Sequence, residues 1–239
     1  MKPNRSFTTT CLQKQCIAPS VYELRFGKPD TFAFMAGQFV LFDVPLLDNE
    51  ADIQPRAYSI ASTPTEQDLL FVIKLVPNGR ASRWIEQALD AGMSVRMQGS
   101  FGNFKLDSAP EKQYLFLATG TGIAPIRSQI LSALKEQKDT RQMHLLFGVL
   151  KREDLFWMEE WRGLEEQYPN FHAHISCLSG EADWHGETGS LQERLPQILQ
   201  EIMTPSVYIC GAPITVKELK EQCLALGIPK SDVHFESYV

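Results

Sequence analysis

The sequence predicts a two-part protein, in which a six-stranded antiparallel β-barrel is followed by an α/β unit with a parallel sheet. The first part holds six short β-forming stretches separated by turn-rich segments, which is typical of a small closed barrel. From about residue 112 strands alternate with helices, a pattern that favours a parallel sheet covered on both faces. The polar segment 107–111 separates the two patterns. We therefore assign residues 1–106 to the barrel and residues 107–239 to the α/β unit.

The barrel strands are predicted from short runs rich in β-branched and aromatic residues. These runs are SFTTTCL (6–12), SVYELRF (20–26), GQFVLFDV (37–44), RAYSIAS (56–62), DLLFVIKLV (68–76) and SVRMQG (94–99). Turn-forming residues between 45 and 55 and at 77–79 indicate loops. One helix is expected before the last strand, because Ser82 is a favourable N-cap and Ile85, Ala88 and Leu89 then share one face.

The α/β unit is predicted from five apolar runs with helical repeats between them. The strands are YLFLAT (114–119), MHLLFGV (143–149), HAHISCL (172–178), VYIC (207–210) and VHFES (233–237). The helices begin near residues 123, 155, 190 and 214. The first of them is indicated by apolar residues at helical spacing, namely Ile123, Ile126, Ile130, Leu131 and Leu134.

Composition excludes several classes of partner. The net charge of −6 opposes binding to a phosphate backbone or an anionic membrane surface, so we expect no nucleic-acid and no membrane partner. No apolar run approaches the roughly 20 residues that cross a bilayer, and the N-terminus lacks the apolar core of a signal peptide. Five scattered cysteines fit reduced thiols, so we expect a cytoplasmic location.

The sequence predicts no resident metal. Cys11 and Cys16 have the spacing that opens a plant-type iron–sulfur motif, but Pro19 stands where the next cysteine would be needed. His172 and His174 alternate along one strand, and no carboxylate lies near them at ligand spacing. We therefore expect these histidines to be core or rim residues.

Two strand ends in the α/β unit indicate a bound dinucleotide. ATGTGIAP (118–125) joins a strand to a helix, and glycines there let the backbone and the helix N-terminus approach an anion. CGAP (210–213) follows another strand, so both loops lie at one edge of the sheet, where open parallel sheets bind ligands. Each loop alone could be a tight turn, and Cys210 alone could be a buried packing residue.

The barrel half carries a second set of candidates. Arg56 lies within an apolar strand, where its guanidinium requires an anionic partner and suits a phosphate. Tyr58 shares its face and could stack on a flat ring, whereas Ser59 faces the opposite side unless the strand ends or bulges there. The turn before Ser82, Asn78-Gly79-Arg80-Ala81, is a suitable place for a pyrophosphate. Each residue could also be an ordinary exposed strand position.

In order and spacing, six motifs together resemble the ferredoxin–NADP reductase superfamily, over nearly the whole chain. They are RAYSIAS, VIKLVPNGRAS, ATGTGIAP, FGVLKREDLFW, CGAP and the ending HFESYV. The similarity is greatest to compact flavin reductases and oxygenase reductases without a fused iron–sulfur domain. The resemblance implies a flavin-binding barrel followed by a nucleotide-binding domain.

Site roles follow from the resemblance residue by residue. It implies that Arg56 binds a flavin phosphate, that Tyr58 packs on the isoalloxazine and that Ser59 hydrogen-bonds near its N5. The remaining matches are Ala57 within the same motif, Ile73, Lys74 and Leu75 along the ribityl chain, Gly79, Ala81 and Ser82 at the pyrophosphate, Thr119, Gly120, Thr121, Gly122 and Pro125 at the dinucleotide, Cys210 and Gly211 at the nicotinamide, and Glu236 and Tyr238 as the C-terminal acid and aromatic near the flavin. The implied catalytic set is Ser59, Cys210, Glu236 and Tyr238.

The expected activity is an NAD(P)H-dependent flavoprotein reductase, with electrons passing to a flavin, a ferredoxin or an oxygenase partner. FAD is preferred over FMN because of the turn at residues 79–82. Two alternatives remain open: an electron-transfer module active only within a partner complex, and a nucleotide-binding protein without flavin.

The donor is NADH or NADPH, and we hypothesise a preference for NADH. Members of the superfamily often hold the 2′-phosphate of NADP with a serine followed by an arginine after the third strand of the nucleotide domain. Here Ser179 is followed by Gly180 and then by Glu181 and Asp183, which repel a phosphate. Lys151 and Arg152 are the alternative cations for that phosphate.

Overall fold

The computed structural model describes residues 6–107, 109–179, 184 and 186–238. The first half forms one antiparallel sheet, with the strands in the order β4-β3-β6-β1-β2-β5. The strands are β1 (Ser6–Ala18), β2 (Val21–Gly27), β3 (Phe39–Leu46), β4 (Asn49–Ser59), β5 (Asp68–Lys74) and β6 (Ser94–Phe101). Helix α1 (Arg80–Gln87) lies between β5 and β6. This is the predicted six-stranded antiparallel fold.

The sheet curls so that the chain following β4 reaches β5. The backbone N–H of Ala61 donates to the carbonyl of Leu70 at 2.8 Å, and the N–H of Leu70 donates to Ser62 Oγ at 3.1 Å. The core inside is aromatic: the rings of Phe26, Phe42 and Phe71 are fully buried and meet edge to face. These contacts make the sheet a barrel.

Two local expectations were wrong. The segment 45–55, expected to be a loop, is a β-hairpin in which Val44 pairs with Gln54. Prolines are tolerated there because β4 is an edge strand, and because β3 pairs with β6 only as far as Phe42. The second error concerns helix α1, whose N-cap is Gly79 rather than Ser82. The Ser82 hydroxyl accepts the N–H of Val76 instead, at 2.8 Å.

The second half is a parallel sheet with the order β10-β9-β8-β7-β11-β12. Its strands are β7 (Gln113–Thr119), β8 (Met143–Val149), β9 (Phe171–Cys177), β10 (Glu187–Thr188), β11 (Pro205–Gly211) and β12 (Val233–Ser237). Its helices are α2 (Ile123–Leu131), α3 (Met158–Gln167), α4 (Leu191–Ile198) and α5 (Pro213–Ala225). The short strand β10 was not predicted.

Alternation along β7 shows why helices cover both faces of this sheet. Tyr114 and Phe116 belong to the core on the side of α2 and α3, whereas Leu115 and Leu117 belong to the core on the side of α4 and α5. None of the helices that the structure describes combines the length and apolar character needed to span a bilayer.

The two halves meet along helix α2. Three consecutive polar side chains of this helix are buried. Each donates to a backbone carbonyl of the first half: Arg127 Nη1 to Ala61 at 2.7 Å, Ser128 Oγ to Ser62 at 2.6 Å and Gln129 Nε2 to Phe104 at 2.7 Å. Because α2 begins directly after the glycine turn at the end of β7, these bonds fix that turn relative to the barrel.

Candidate functional site

The candidate site lies where the order of the parallel sheet reverses. From β7 the chain runs outward through β8, β9 and β10 on one side, and through β11 and β12 on the other. The loops after β7 and β11 therefore flank a topological switch point, where open α/β sheets bind ligands. Gly120–Gly122 form a short 3₁₀ turn in the first loop, and Cys210 and Gly211 end β11.

Two glycines allow these loops to pack against each other. A side chain at Gly122 would overlap the carbonyl oxygen of Cys210, and one at Gly211 would overlap the hydroxyl of Thr119. Pro125 is the third residue of α2 and is buried. The motifs ATGTGIAP and CGAP thus form one continuous backbone surface at the switch point, as expected from strand ends of one sheet.

Four side chains from both halves converge on this surface. Ser59 is buried at the last position of β4, and Cys210 and Glu236 are direct neighbours in the β11–β12 pairing. Tyr238 donates its N–H to the carbonyl of Gly211 at 3.1 Å. Its hydroxyl donates to the carbonyl of Thr121 at 3.4 Å. Ser59 and Cys210 lie close enough to this hydroxyl to affect its pKa, and Ser59 lies close enough to Glu236 to affect the pKa of that carboxyl. Ser59 is the last residue of β4, which is the condition under which we expect it to face the same ligand as Tyr58.

Burial controls the protonation of this cluster. It raises the pKa of Glu236 from an ordinary 4.5 to about 7, although the hydrogen bond with Ser59 opposes the rise. Burial also raises the pKa of the Cys210 thiol, with a further contribution from Glu236, and that of Tyr238. Near neutral pH the cysteine and tyrosine are therefore protonated, and Glu236 lies at its titration midpoint.

One oxygen in the cluster is unused. Glu236 Oε2 is buried and has no hydrogen-bond partner among the described residues. Buried polar atoms are normally paired, so an unpaired carboxylate oxygen at a switch point indicates a ligand group that donates to it.

Arg56 and Tyr58 lie just upstream of Ser59 on β4. The guanidinium of Arg56 donates to Gln54 Oε1 at 2.6 Å and to the carbonyl of Pro55 at 3.0 Å. Across the described part of the chain it forms no ion pair with a carboxylate. Tyr58 packs edge-on against Phe42, and burial raises the pKa of its phenol to about 12. Ala57 between them is exposed.

An ion pair joins the N-terminus of α1 to β4. Arg80 forms an ion pair with Asp52 at 3.1 Å, and no side chain caps the helix start, so the N–H groups around Ala81 remain available to an anion. On the neighbouring β5, Ile73 is buried and Lys74 pairs with Asp154 at 3.7 Å. The N–H of Leu75 donates to Ser20 at 2.7 Å.

The predictions for the NADP-discriminating residues and for the histidines of β9 have different outcomes. Of the residues expected to discriminate NADP, those at 180–183 lie outside the described residues, whereas the hydroxyl of Ser179 donates to the carbonyl of Leu150 at 2.8 Å. The histidines are not isolated: His144 on β8, His172 and His174 share one face, and carboxylates distant in sequence lie beside them. Burial lowers the pKa of His144 to about 4, with a smaller contribution from the two neighbouring histidines.

Comparison with known families finds two models along the chain. The oxidoreductase FAD-binding domain matches residues 9–106, and the oxidoreductase NAD-binding domain matches residues 116–221. The second match contains the loops at the switch point as far as Gly211. The first contains β4 and the start of α1.

Curated relatives agree with these models. The chain is 32% identical over 232 residues to ferredoxin–NADP reductase B of Sorangium cellulosum, covering 93% of both proteins. It is 30% identical over 183 residues to the ferredoxin–NAD(P)(+) reductase component of the naphthalene 1,2-dioxygenase/salicylate 5-hydroxylase systems of a Ralstonia species, covering 77% of this chain and 56% of that protein. It is 28% identical to the toluate 1,2-dioxygenase electron transfer component of Pseudomonas putida, of which it spans 59%.

Solved structures share the fold. The cytochrome P450 reductase GcoB of Amycolatopsis superposes with a TM-score of 0.88 at 25% identity, over 98% of this chain and 70% of that chain. A ferredoxin NADP+ reductase from Neisseria gonorrhoeae, solved with bound FAD and NADP, superposes with a TM-score of 0.81 at 21% identity, over 98% of both chains.

Proposed function

The chain belongs to the ferredoxin–NADP reductase family, and from this premise we propose that it delivers electrons to a separate redox protein, either a ferredoxin or an oxygenase component. It is an NAD(P)H-dependent flavoprotein reductase with an FAD-binding and an NAD-binding half. The names of its relatives support the two acceptor classes. The observation that carries the reductase part of the proposal is the proximity of Ser59, at the end of the barrel strand β4, to Glu236 and Tyr238 at the switch point. The acceptor part rests on the relatives.

The residues present fit FAD. Arg56 has no ion pair among the described residues, α1 begins without a side-chain cap, and Glu236 Oε2 is unpaired. We propose that Arg56 and the turn of Gly79, Ala81 and Ser82 hold the phosphates. When bound, FAD accepts a hydride and releases electrons singly or in pairs.

The other residues of the barrel half are assigned roles toward FAD by where they lie on β4 and β5. We propose that Tyr58 supports the isoalloxazine ring, since its edge-on contact with Phe42 holds the phenol ring in place. Ile73, Lys74 and Leu75 would line the ribityl chain from β5, with Ala57 exposed beside Arg56 on β4. Ser59 would donate its hydroxyl hydrogen toward the ring, and Glu236 would hold a proton at its carboxyl group close to neutral pH.

The α/β half would hold the dinucleotide. We propose that Thr119, Gly120, Thr121 and Gly122 present backbone groups to it, with Pro125 shaping the start of α2. Gly211 would let the nicotinamide approach β11 closely, and the protonated thiol of Cys210 would pack beside the ring. Tyr238, held by the carbonyl of Gly211, would exclude water from the junction.

An anaerobic stopped-flow experiment tests the proposal. The FAD-loaded protein should lose its yellow colour on mixing with NADH or NADPH. The reduced protein should then pass electrons faster to a ferredoxin or oxygenase component than to free flavin. Failure to bleach contradicts the reductase, whereas bleaching with a faster transfer to free flavin leaves the reductase intact and contradicts a protein acceptor.

Cys210→Ala is expected to slow flavin reduction by NADH about tenfold, equivalent to about 1.4 kcal/mol in the barrier, without loss of FAD. The thiol is 1% exposed and adjoins Glu236 and Tyr238, so its removal alters the packing beside the nicotinamide. Cys223→Ala is the matched control, because Cys223 is 0% exposed but lies in the core between α5 and the sheet. Both variants should lower the thermal midpoint. Equal reduction rates in the two variants would assign Cys210 to packing alone.

The titration of Glu236 should appear in the stability of the protein stripped of FAD and dinucleotide. Its folded pKa of about 7 exceeds the ordinary 4.5, so the folded state binds the proton more tightly. The protonated form therefore stabilises the fold at low pH, and this contribution is lost as pH rises from about 5 through about 7. The thermal midpoint of the wild type should fall relative to that of Glu236→Gln over this window. A constant difference between the two proteins contradicts the raised pKa.

We propose that NADH is the preferred donor. The proposal is supported by the acids at 181 and 183 in the sequence. It is also supported by the ion pair of Lys151 with Glu153 at 3.5 Å, because the carboxylate partly neutralises the cation that a 2′-phosphate would need. The ratio of kcat/KM for NADH and NADPH with ferricyanide measures the preference. A tenfold preference for NADPH contradicts the proposal. If Lys151→Met then abolished the preference for NADPH, Lys151 would be the residue that binds the 2′-phosphate.

A further inference from the structure

We infer that His144, His174 and Glu201 form a binding site for one divalent transition-metal ion. The site is remote in sequence from the loops at the switch point. It lies between the parallel sheet and the end of α4, because His144 belongs to β8, His174 belongs to β9, and Glu201 ends the short 3₁₀ turn that continues α4.

The two imidazole nitrogens have nearly the spacing that a bound ion requires, and the carboxylate of Glu201 lies further out but within reach. Nδ1 of His144 lies 3.5 Å from Nε2 of His174 and 3.9 Å from Oε2 of Glu201, and all three atoms lie within 4.8 Å of one another. Two ligands that bind Zn²⁺ at about 2.0–2.1 Å with tetrahedral angles lie about 3.3–3.4 Å apart. The imidazoles therefore need to move by only a few tenths of an ångström.

The surroundings hold both rings in place. The rings of His144 and His174 are nearly parallel, with an interplanar angle of 6°, and His144 is 4% exposed. The side chain of Glu201 is 59% exposed, so it can complete the site without rearranging the core. At 3.5 Å the hydrogen bond between the two ring nitrogens is long and weak, so a bound ion would replace only a weak contact.

A second carboxylate supports one of the ligands. Nδ1 of His174 lies 3.8 Å from Oε1 of Glu187, and Arg194 holds Glu187 through bonds of 2.6 and 3.0 Å. Histidines that bind metals usually direct their second nitrogen toward a carboxylate, which orients the ring. His174 therefore has a ligand nitrogen on one side and, on the other, a carboxylate that a small side-chain shift would bring within hydrogen-bond distance.

Two imidazoles and one carboxylate select the class of ion. Imidazole nitrogen suits zinc, copper, nickel and iron, whereas magnesium and calcium prefer oxygen ligands. Three protein ligands leave a fourth position for water. We expect the ion to link β8 and β9 to the end of α4.

Zn²⁺ binding to the full-length, tag-free, FAD-loaded protein tests the site. Titration calorimetry should show one Zn²⁺ per chain and no binding of Mg²⁺. Zinc at a hundredfold excess over its dissociation constant should raise the thermal midpoint by about 5–10 °C. Co²⁺ should give the visible absorption bands of a four- or five-coordinate site.

Variants decide whether these residues are the ligands. His174→Gln and Glu201→Gln should each weaken Zn²⁺ binding at least tenfold. The matched control is His172→Gln, since His172 shares the face of the sheet but is not one of the three ligands. Its ring centroid lies 4.9 Å from that of His144, and it hydrogen-bonds to Gln142. Thermal midpoints in EDTA check that each variant folds. Absence of stoichiometric Zn²⁺ uptake overturns the proposal, and so does uptake that Glu201→Gln leaves unchanged or that His172→Gln weakens equally.

Discussion

Arg127→Met is expected to lower the free energy of unfolding by about 2–4 kcal/mol. The guanidinium donates to both oxygens of Glu160, at 2.7 and 2.6 Å, and to the carbonyl of Ala61. Its side chain is 9% exposed and that of Glu160 is 25% exposed. Removing one partner of a buried pair typically costs about 3–5 kcal/mol, and the partial exposure of Glu160 reduces that figure.

A second ion pair of helix α3 provides the control. Arg162 bonds to Glu159 at 3.0 Å, but their side chains are 63% and 85% exposed. Arg162→Met should therefore change the free energy of unfolding by less than about 0.5 kcal/mol. Urea unfolding of both variants measures the contrast. A loss below 1 kcal/mol for Arg127→Met would show that the interface does not depend on this pair.

Arg127→Met should also affect the reduction of the flavin by NADH. Helix α2 begins at the glycine turn beside Cys210, and Arg127 fixes this helix to the chain that follows β4 and Ser59. Loosening the contact should slow flavin reduction by NADH while FAD stays bound, because Arg56 and α1 lie wholly within the barrel half. Loss of FAD together with stability would instead indicate general unfolding of the barrel.

The sequence could predict the fold because its signals are local. Runs of β-formers and helical repeats identify the strands and helices, and the alternation of strands with helices specifies a parallel sheet. The convergence of Gly122 with Cys210 was also predictable, since both follow parallel strands of one sheet. The meeting of Ser59 with Glu236 could be expected only from resemblance to a family, because no spacing in the sequence links the two residues.

Helix α2 shows what local patterns miss. Its apolar repeat predicts one buried face, and Ser128 and Gln129 lie off that face. In the structure Ser128 and Gln129 are buried as well, because each donates to a backbone carbonyl of the barrel half. A pattern within one helix carries no information about a second half that packs on it.

The histidine cluster was missed for a related reason. The prediction that His172 and His174 are core or rim residues rests on the residues near them along one strand. The carboxylate of Glu201 and the imidazole of His144 reach His174 only through the packing of α4 on the sheet and the pairing of β8 with β9. In the same way, the hairpin at 49–55 depends on pairing with β3 rather than on its own polar sequence.

Arg56→Ala is expected to weaken FAD binding about ten- to a hundredfold, so that the protein purifies partly or wholly colourless. A charge-assisted hydrogen bond contributes about 1.5–3 kcal/mol, which corresponds to that range of affinity. Among the described residues, Arg56 bonds only to uncharged oxygens of its own strand, those of Gln54 and Pro55, whereas the nearby Arg80 is paired with Asp52. The charge of Arg56 is therefore available to a phosphate.

Two further arginine variants separate a phosphate contact from a general effect of charge. Arg96→Ala removes a cation from β6 of the same barrel, where the side chain is 62% exposed and pairs with Asp43, so FAD affinity should stay unchanged. Arg56→Lys keeps the charge but loses the planar fork that binds two oxygens, and should retain an intermediate affinity. Fluorescence titration of the FAD-free proteins measures the dissociation constants of the wild type and the three variants. Salt should weaken binding to the wild type more than to Arg56→Ala, because only the wild type keeps the ion pair. If FAD binds Arg56→Ala as tightly as the wild type, the phosphate is held elsewhere, and the uncapped N-terminus of α1 becomes its principal anchor.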